Sequence, residues 1–210
     1  MPGLILIGGG GHCKAAIDVI EADGRFVIAG ILEQPGTTQR DVLGYPVIGT
    51  DSELADLVAT HSAAFVTIGQ IKSPDPRRRA FEAAILAGAI VPVIASTNAH
   101  VSRHATLGDG TLVMHGAVVN AAAAIGQNCI INSLSLVEHD ARVGDHCHIS
   151  TGARVNGDVT VEEGCFIGSG AILKNGITIG KGSVIGAGCV IRHDVPPATL
   201  IKQTPERPAQ

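Results

Sequence analysis

Aromatic residues are nearly missing from this 210-residue chain: four Phe, one Tyr and no Trp, 2 % in all. A core filled by large rings is therefore excluded. The 45 % hydrophobic fraction must be carried by Val, Ile, Leu and Ala, which favours a narrow, regular interior with many equivalent slots. Charge is nearly balanced, with 15 basic and 19 acidic residues and a net charge of −4. The one basic cluster, Arg77-Arg78-Arg79, lies in a helical stretch and reads as a solvated helix face, so no nucleic-acid partner is expected. No apolar run reaches about 18 residues, which argues against a membrane span. The start, Met-Pro-Gly, lacks a basic region and a small-residue cleavage site, so a soluble, cytoplasmic chain is expected. Five cysteines in such a chain point to free thiols in a reducing compartment.

What the chain does have is a period. From Val101, every sixth residue is aliphatic: Val101, Leu107, Val113, Val119, and so on without insertion to Ile179, Ile185 and Ile191. All sixteen positions are Leu, Ile or Val, in a background where such residues are a minority. Two residues earlier the side chain is usually small, as at Ala105, Cys129, Cys147 and Cys165. Glycine recurs one residue after the aliphatic (Gly108, Gly126, Gly144, Gly168, Gly180) and three after it (Gly110, Gly152, Gly164, Gly170). Both sets read as tight corners that need a positive φ. Aliphatics inside and glycines at corners every six residues predict a parallel β-helix. Three hexads make one triangular coil of eighteen residues, and sixteen hexads make about five coils. Cys129, Cys147 and Cys165 are eighteen apart and, with Cys189 on the same small-residue register, read as an inward ladder of core thiols.

The first hundred residues alternate strands and helices. Strands are expected at Leu4–Ile7, Phe26–Leu32, Tyr45–Ile48, Ala64–Ile68 and Ile90–Ile94. Helices are expected from Lys14 to Ala22, from a Ser52 cap to Ala59, and from Pro76 to Ala87. This is the pattern of a small Rossmann-like α/β domain with a parallel sheet. Residues 1–97 are expected to form it and 98–210 the β-helix with its tail. Ligands of such sheets sit beyond the carboxyl ends of strands, here the loops Gly8–His12, Glu33–Gln34 and Gly69–Gln70. A glycine-rich turn opening a helix offers N–H groups to phosphate. Four consecutive glycines followed by His12 do not match the dinucleotide spacing, so the turn reads as either a ligand loop or a plain turn.

Nine histidines raise the question of a metal. No two in the repeat region are one coil apart, and His139 and His193 share a register three coils apart, about 14 Å at the strand spacing. Zinc bonds near 2 Å exclude that pair, and no metal is expected. The informative stretch is Asn132-Ser133-Leu134-Ser135-Leu136-Val137-Glu138-His139-Asp140, where glycine corners give way to Glu-His-Asp. A His between carboxylates can be oriented and kept basic; a polar surface corner is the equal alternative from spacing alone.

These features together resemble the sialic acid O-acetyltransferase (NeuD-type) family, and most of all its PglD-type and perosamine N-acetyltransferase branches. The resemblance runs over nearly the whole chain: the Gly-Gly-His opening, the α/β domain, the uninterrupted β-helix, Asn132…Glu138-His139 and His148. It implies a left-handed winding, a homotrimer with the active cleft between subunits, and acetyl-CoA as co-substrate. It implies transfer of acetyl to the 4-amino group of a UDP- or GDP-linked 4-amino-4,6-dideoxy sugar for bacterial surface glycans such as O-antigen. The alternatives are O-acetylation of sialic acid or a relative, and a non-catalytic nucleotide-binding scaffold. By the same resemblance His139 is the catalytic base and Asp140, where the family usually has Glu, its orienting partner. Asn132 contacts substrate, His148 lies beside acetyl-CoA, and Gly157, one coil above His139, offers its N–H to the thioester oxygen. Gly10, Gly11, His12, Glu33 (usually Asp in the family) and Gly69 correspond to the sugar-nucleotide pocket. At the carboxyl end, Asp194–Thr199 resembles the exit from the β-helix. Gln203-Thr204-Pro205-Glu206 replaces the family's Gly-x-Pro-Ala motif near CoA.

Overall fold

The computed structural model describes residues 1–203; Thr204, Pro205 and Glu206, where the family motif is missing, lie outside the described residues. The chain opens with β1 (Gly3–Ile7), α1 (Gly11–Asp23), β2 (Val27–Leu32), β3 (Asp41–Val42) and β4 (Tyr45–Gly49). A short 3-10 turn, Asp51–Glu53, leads into α2 (Leu54–His61), followed by β5 (Ala63–Val66) and α3 (Asp75–Leu86). The sheet order is β3-β4-β2-β1-β5, parallel except for the β3–β4 hairpin. β5 is buried end to end and β1 from Leu4 to Ile7, as continuous apolar runs in a parallel sheet should be.

Three details differ from the sequence expectation. The helix expected from Lys14 begins at Gly11, because Gly10 caps it and accepts the Cys13 N–H. The cap of the second helical segment is Thr50, not Ser52. The Glu53 carboxylate accepts both the Thr50 N–H (2.7 Å) and the Thr50 hydroxyl (2.6 Å). The strand expected at Ile90–Ile94 does not form. Ile90 makes one bridge to Ala63, and Pro92 has no N–H with which to continue the ladder.

Ile94–Ala95 instead pairs with Leu112–Val113 and is the first rung of a parallel β-helix. From there the chain winds through two-residue rungs, each closed by one of the sixteen periodic aliphatics. The rungs stack into three sheets. Sheet I holds Ile94–Ala95, Leu112–Val113, Ile130–Ile131, His148–Ile149, Phe166–Ile167, Val184–Ile185 and Leu200–Ile201. Sheet II runs from His100–Val101 to Val190–Ile191, and sheet III from Thr106–Leu107 to Thr178–Ile179. Up to Val190–Ile191, each rung pairs with the rung eighteen residues away, as Val137 does with Val155. Fourteen of the sixteen aliphatics are buried; Val101 and Leu107, at the open first coil, are half-buried. Burying one such side chain contributes about 2 kcal/mol, so the fold is stabilised coil by coil.

The winding also outlasts the expected exit at Asp194–Thr199. Val195 bridges Ile179 and Leu200–Ile201 joins sheet I, with the spacing cut from eighteen to sixteen residues around Pro196-Pro197. The two glycine sets have different causes. Those three residues after the aliphatic do have positive φ, 66–73° at Gly110, Gly152, Gly164 and Gly170. Those one residue after it do not. A Cβ on Gly108, Gly126, Gly144, Gly168 or Gly180 would come within 2.3–2.7 Å of the next coil, so these are glycines because coils stack at backbone contact.

The cysteine ladder follows the same geometry. Cys129, Cys147 and Cys165 are fully buried. Their thiols donate to the carbonyls of Gly144 (3.1 Å), Glu162 (3.0 Å) and Gly180 (3.2 Å). Thr111 and Ser183 continue the column with hydroxyl donors, to Gly126 O (2.8 Å) and Pro196 O (2.9 Å). Cys189 is buried on another edge of the prism.

The α/β unit packs on the first coils of sheet I. Cys13, Ile17 and Ile20 of α1 share a core with Leu112, Met114 and Ile130. Among the described residues no helix is long and apolar enough to cross a membrane.

Candidate active site

The structure gathers the predicted residues into two clusters. The first lies at the carboxyl ends of β1, β2 and β5, where a cavity of about 400 Å³ is lined by Gly10, Gly11, His12, Glu33 and Gly69 among others. A Cβ at Gly10 or Gly11 would meet nothing within 4 Å, so their backbone faces open space. Neither of their N–H groups is donated among the described residues, and they open helix α1. That leaves a helix N-terminus with free N–H groups, where a negative charge is electrostatically favoured. The Gly9 N–H is not part of it: the Glu33 carboxylate accepts it, and accepts the Gln34 N–H at 3.0 Å. The longer Glu side chain thus closes onto the glycine loop and braces it.

His12 forms the inner wall. Burial holds its pKa down to about 3, with the Arg77 and His148 charges adding to the effect. Its Nε2 is buried without a hydrogen-bond partner. Its ring lies 6.4 Å from that of His148. Gly69 is a glycine beside it because a Cβ would come within 3.3 Å of the His12 Cβ. His148 stands on sheet I beneath the α/β unit. Its Nδ1–H donates to Gln70 O (2.8 Å), which leaves Nε2 to accept from Asn132 Nδ2 (3.0 Å). Burial lowers its pKa to about 4, so it is neutral. Its ring meets Phe166 edge-on at 5.2 Å. From Phe166 an 810 Å³ groove continues along sheet I past Val184 and Leu200, walled by Ile71, with Lys72 and Lys202 also lining it. The cavity, His148 and the groove therefore form one continuous face.

The second cluster sits on the corner between sheets II and III. Asp140 occupies the corner position with φ 62°, which Asp tolerates better than most side chains. Its Oδ2 accepts the His139 Nδ1–H at 2.8 Å. Glu138 is engaged elsewhere, accepting from Asn120 Nδ2 at 2.7 Å and from the His139 N–H at 3.3 Å. The imidazole is exposed, and the hydrogen bond to Asp140 raises its pKa. The ring lies against Gly157: a Cβ there would fall 2.8 Å from His139 Cε1 and 2.9 Å from Nε2. The Gly157 N–H is donated to no group among the described residues. An imidazole, the carboxylate that accepts its Nδ1–H and a free N–H thus stand together, one side of the prism away from Asn132.

Sequence reasoning missed two residues that tie these parts together, Arg77 and Asn128, and placed a third, Gln70, only in a candidate ligand loop. Arg77, read as solvated, is buried at 1 % exposure. Its guanidinium donates to Ile68 O (3.0 Å), Asn128 O (2.6 Å) and Asn128 Oδ1 (2.9 Å). Gln70 sets the His148 tautomer. A signal for Asn128 did exist. The corner positions Ala122, Asn128, Leu134, Asp140 and His146 all have positive φ without being glycine, and this consecutive run coincides with the site. Among the described residues no group of three or more His, Cys, Asp or Glu could hold a metal.

This is the architecture of a hexapeptide-repeat acyltransferase. The bacterial transferase hexapeptide family matches residues 122–157 and 158–193, and the PglD N-terminal domain family matches residues 3–83. The acetyltransferase domain of PglB from Neisseria gonorrhoeae FA1090 is 33 % identical, with each chain covered over its full length and a TM-score of 0.90. The same domain has been solved with acetyl coenzyme A, at 33 % identity, 99 % coverage of both chains and a TM-score of 0.88. PerB from Caulobacter crescentus, solved with CoA and GDP-perosamine, is 35 % identical over 97 % of this chain and 95 % of its own, with a TM-score of 0.89. No curated protein matches by sequence. The chain belongs to the NeuD/PglD-type family of sugar acetyltransferases, with the left-handed β-helix of that family.

Proposed function

We propose that the protein is an acetyl-CoA-dependent N-acetyltransferase acting on the 4-amino group of a UDP- or GDP-linked 4-amino-4,6-dideoxy sugar, in the cytoplasmic synthesis of a bacterial surface glycan. The observation that carries this reading is the stacked column Asp140–His139–Gly157, in which base, orienting carboxylate and free N–H converge. The sugar amine attacks the thioester carbonyl carbon, and a C–N bond forms. His139 Nε2 takes the proton that the amine loses. The Gly157 N–H meets the developing oxyanion, a contact worth about 3 kcal/mol in comparable sites. The C–S bond then breaks, and the thiolate leaves with the proton held by His139. No cysteine carries the acetyl group, because the ladder thiols are buried and Cys129 is pushed up to about 12 by burial.

The cavity at His12 receives the nucleotide, its diphosphate at the Gly10 and Gly11 N–H groups. The groove along sheet I receives the pantetheine arm, with the thioester beside His148. His139 lies on another edge of the same chain, so a second copy completes the cleft in a homotrimer. That PerB was solved with CoA and GDP-perosamine supports this class of acceptor.

The test is thiol release from acetyl-CoA against a panel of UDP- and GDP-linked 4-amino sugars and sialic acids, with wild type and His139→Ala. Release with an amino-sugar nucleotide, lowered by about 10²–10⁴-fold in the variant, supports the proposal. Release only with sialic acids makes the protein an O-acetyltransferase, and release with no acceptor makes it a scaffold.

A further inference from the structure

Arg77 is a full positive charge inside the protein. It keeps that charge, since burial lowers its pKa only to about 10, and among the described residues no carboxylate pairs with it. A buried unpaired charge is costly and is retained only where surrounding dipoles satisfy it well. Here the dipoles belong to two different parts of the molecule and serve the two terminal nitrogens, while the buried Nε has no partner among the described residues. One terminal nitrogen binds Ile68 O in the loop after β5, and the other binds Asn128 on a β-helix corner. Asn128 answers with its amide, donating to His146 Nδ1 at 3.0 Å and lying 3.4 Å from Arg77 O. Its own backbone is at φ 50°.

The loop so held is Ile68–Gly69–Gln70. Ile68 and Gly69 line the nucleotide cavity. Gln70 O receives the His148 Nδ1–H, and the Gln70 side-chain amide reaches toward Gly164 O and Cys165 O at 3.4–3.5 Å. Three consecutive residues therefore touch both the sugar-nucleotide cavity and the imidazole beside the acetyl groove. We propose that Arg77 is a positioning residue that locks this loop to the β-helix and thereby fixes the tautomer of His148, joining the two substrate sites into one working geometry. Burial is the larger cause of the lowered pKa values of His12 and His148, and the Arg77 charge acts in the same direction on both. The catalytic consequence rests on the proposed function; the tautomer consequence does not.

The experiment uses full-length protein with ¹⁵N-labelled histidine, without substrate. In wild type the His148 Nδ1 signal is expected to be of the protonated type and Nε2 of the unprotonated type. In Arg77→Met the two signals move toward each other as both tautomers are populated. Titrated coenzyme A binds about tenfold more weakly, and kcat falls by a similar factor. Arg77→Lys, which keeps the charge and can reach one acceptor, recovers part of each change. Unchanged His148 signals in a folded Arg77→Met protein overturn the proposal, even if its melting temperature falls. If Arg77→Met does not fold, Arg77→Gln, which removes the charge and cannot reach both acceptor groups at once, decides on the same signals, and no movement there overturns the proposal as well. Absence of acetyl transfer with every acceptor would sink the proposed function while leaving the tautomer result intact.

Discussion

The β-helix and the α/β unit are stabilised in different ways, and the contrast explains where the chemistry sits. In the β-helix every coil repeats one solution: an aliphatic inside, a small donor at the corner, a glycine where coils touch. His139 and Asp140 interrupt that solution at one corner, where glycine is the usual residue. The α/β unit has no repeat, so its polar groups are placed one by one. It buries a cationic Arg77 and a neutral His12, and its Gln70 carbonyl covers the neutral His148 of sheet I. One region tolerates chemistry at its surface; the other builds chemistry into its packing.

The sharpest way to break this comparison is to make one substitution at two glycines of the same β-helix. In Gly157→Ala the added methyl meets the His139 ring, which can swing away. Acetyl transfer is expected to fall about 100-fold, the scale of a displaced catalytic group, with an unchanged melting curve. In Gly168→Ala the methyl meets Ala187 N at 2.5 Å and Gly186 C at 2.6 Å, which are backbone of the next coil. That variant should lose stability instead. Paired kinetics and calorimetry check both, and equal melting losses in the two variants would refute the distinction.

Acid should separate the regions next. His12 and His148 have folded pKa values of about 3 and about 4, against an ordinary 6.5. The folded state therefore binds fewer protons than the unfolded state as pH falls below 6.5, and stability is lost in that window. Between pH 6.5 and pH 5 each buried imidazole costs about 2 kcal/mol. His146 shifts the same way, again through burial. Hydrogen exchange at pH 7 and pH 5 should show the loss in β1, β5 and the sheet I rungs beneath them, while the last coils hold. Protection in β1 and β5 that does not change between the two pH values would contradict this.

The same contrast decided what could be read from the sequence. The β-helix was legible because its period is one-dimensional: sixteen aliphatics at fixed spacing define the rungs and place Gly157 over His139 by counting to eighteen. The cavity loops were legible because parallel strands end where ligands bind. Arg77 was not. It sits in a run of three arginines on a helix whose pattern is polar, and only the packing of α3 against the Asn128 corner buries it. The Gln70 loop was legible but its contact with His148 was not, since that contact uses a backbone carbonyl that any residue carries. The stacking glycines were found but explained by φ. Their true cause, contact with a coil nineteen residues away, needs the third dimension. The last rung was missed because Pro196-Pro197 shortens the spacing to sixteen.

A smaller effect tests the His139 dyad itself. Asp140 raises the His139 pKa through the 2.8 Å hydrogen bond, and Glu138 and Asp158 act in the same direction. A base must be unprotonated to work, so the acid limb of kcat/KM should lie above the ordinary histidine value. Asp140→Asn keeps an acceptor and tolerates the positive φ. It should move that limb to lower pH and reduce the plateau rate about tenfold. A limb that stays in place would assign it to another group, such as the sugar amine.

The smallest effect concerns the cysteine column, which the β-helix treats as packing. Cys147 donates to Glu162 O at 3.0 Å, and Thr111 and Ser183 make the equivalent bond with hydroxyls. Cys147→Ser should therefore keep the bond, whereas Cys147→Ala should lose about 1 kcal/mol, the net value of one such hydrogen bond. Both variants should transfer acetyl at the wild-type rate, because the Cys147 thiol is fully buried inside the prism. A large rate loss in both would place the column in the chemistry after all. A stability order with Ser below Ala would mean that the column values apolar volume over its hydrogen bonds, and that the hydroxyls at Thr111 and Ser183 are tolerated rather than used.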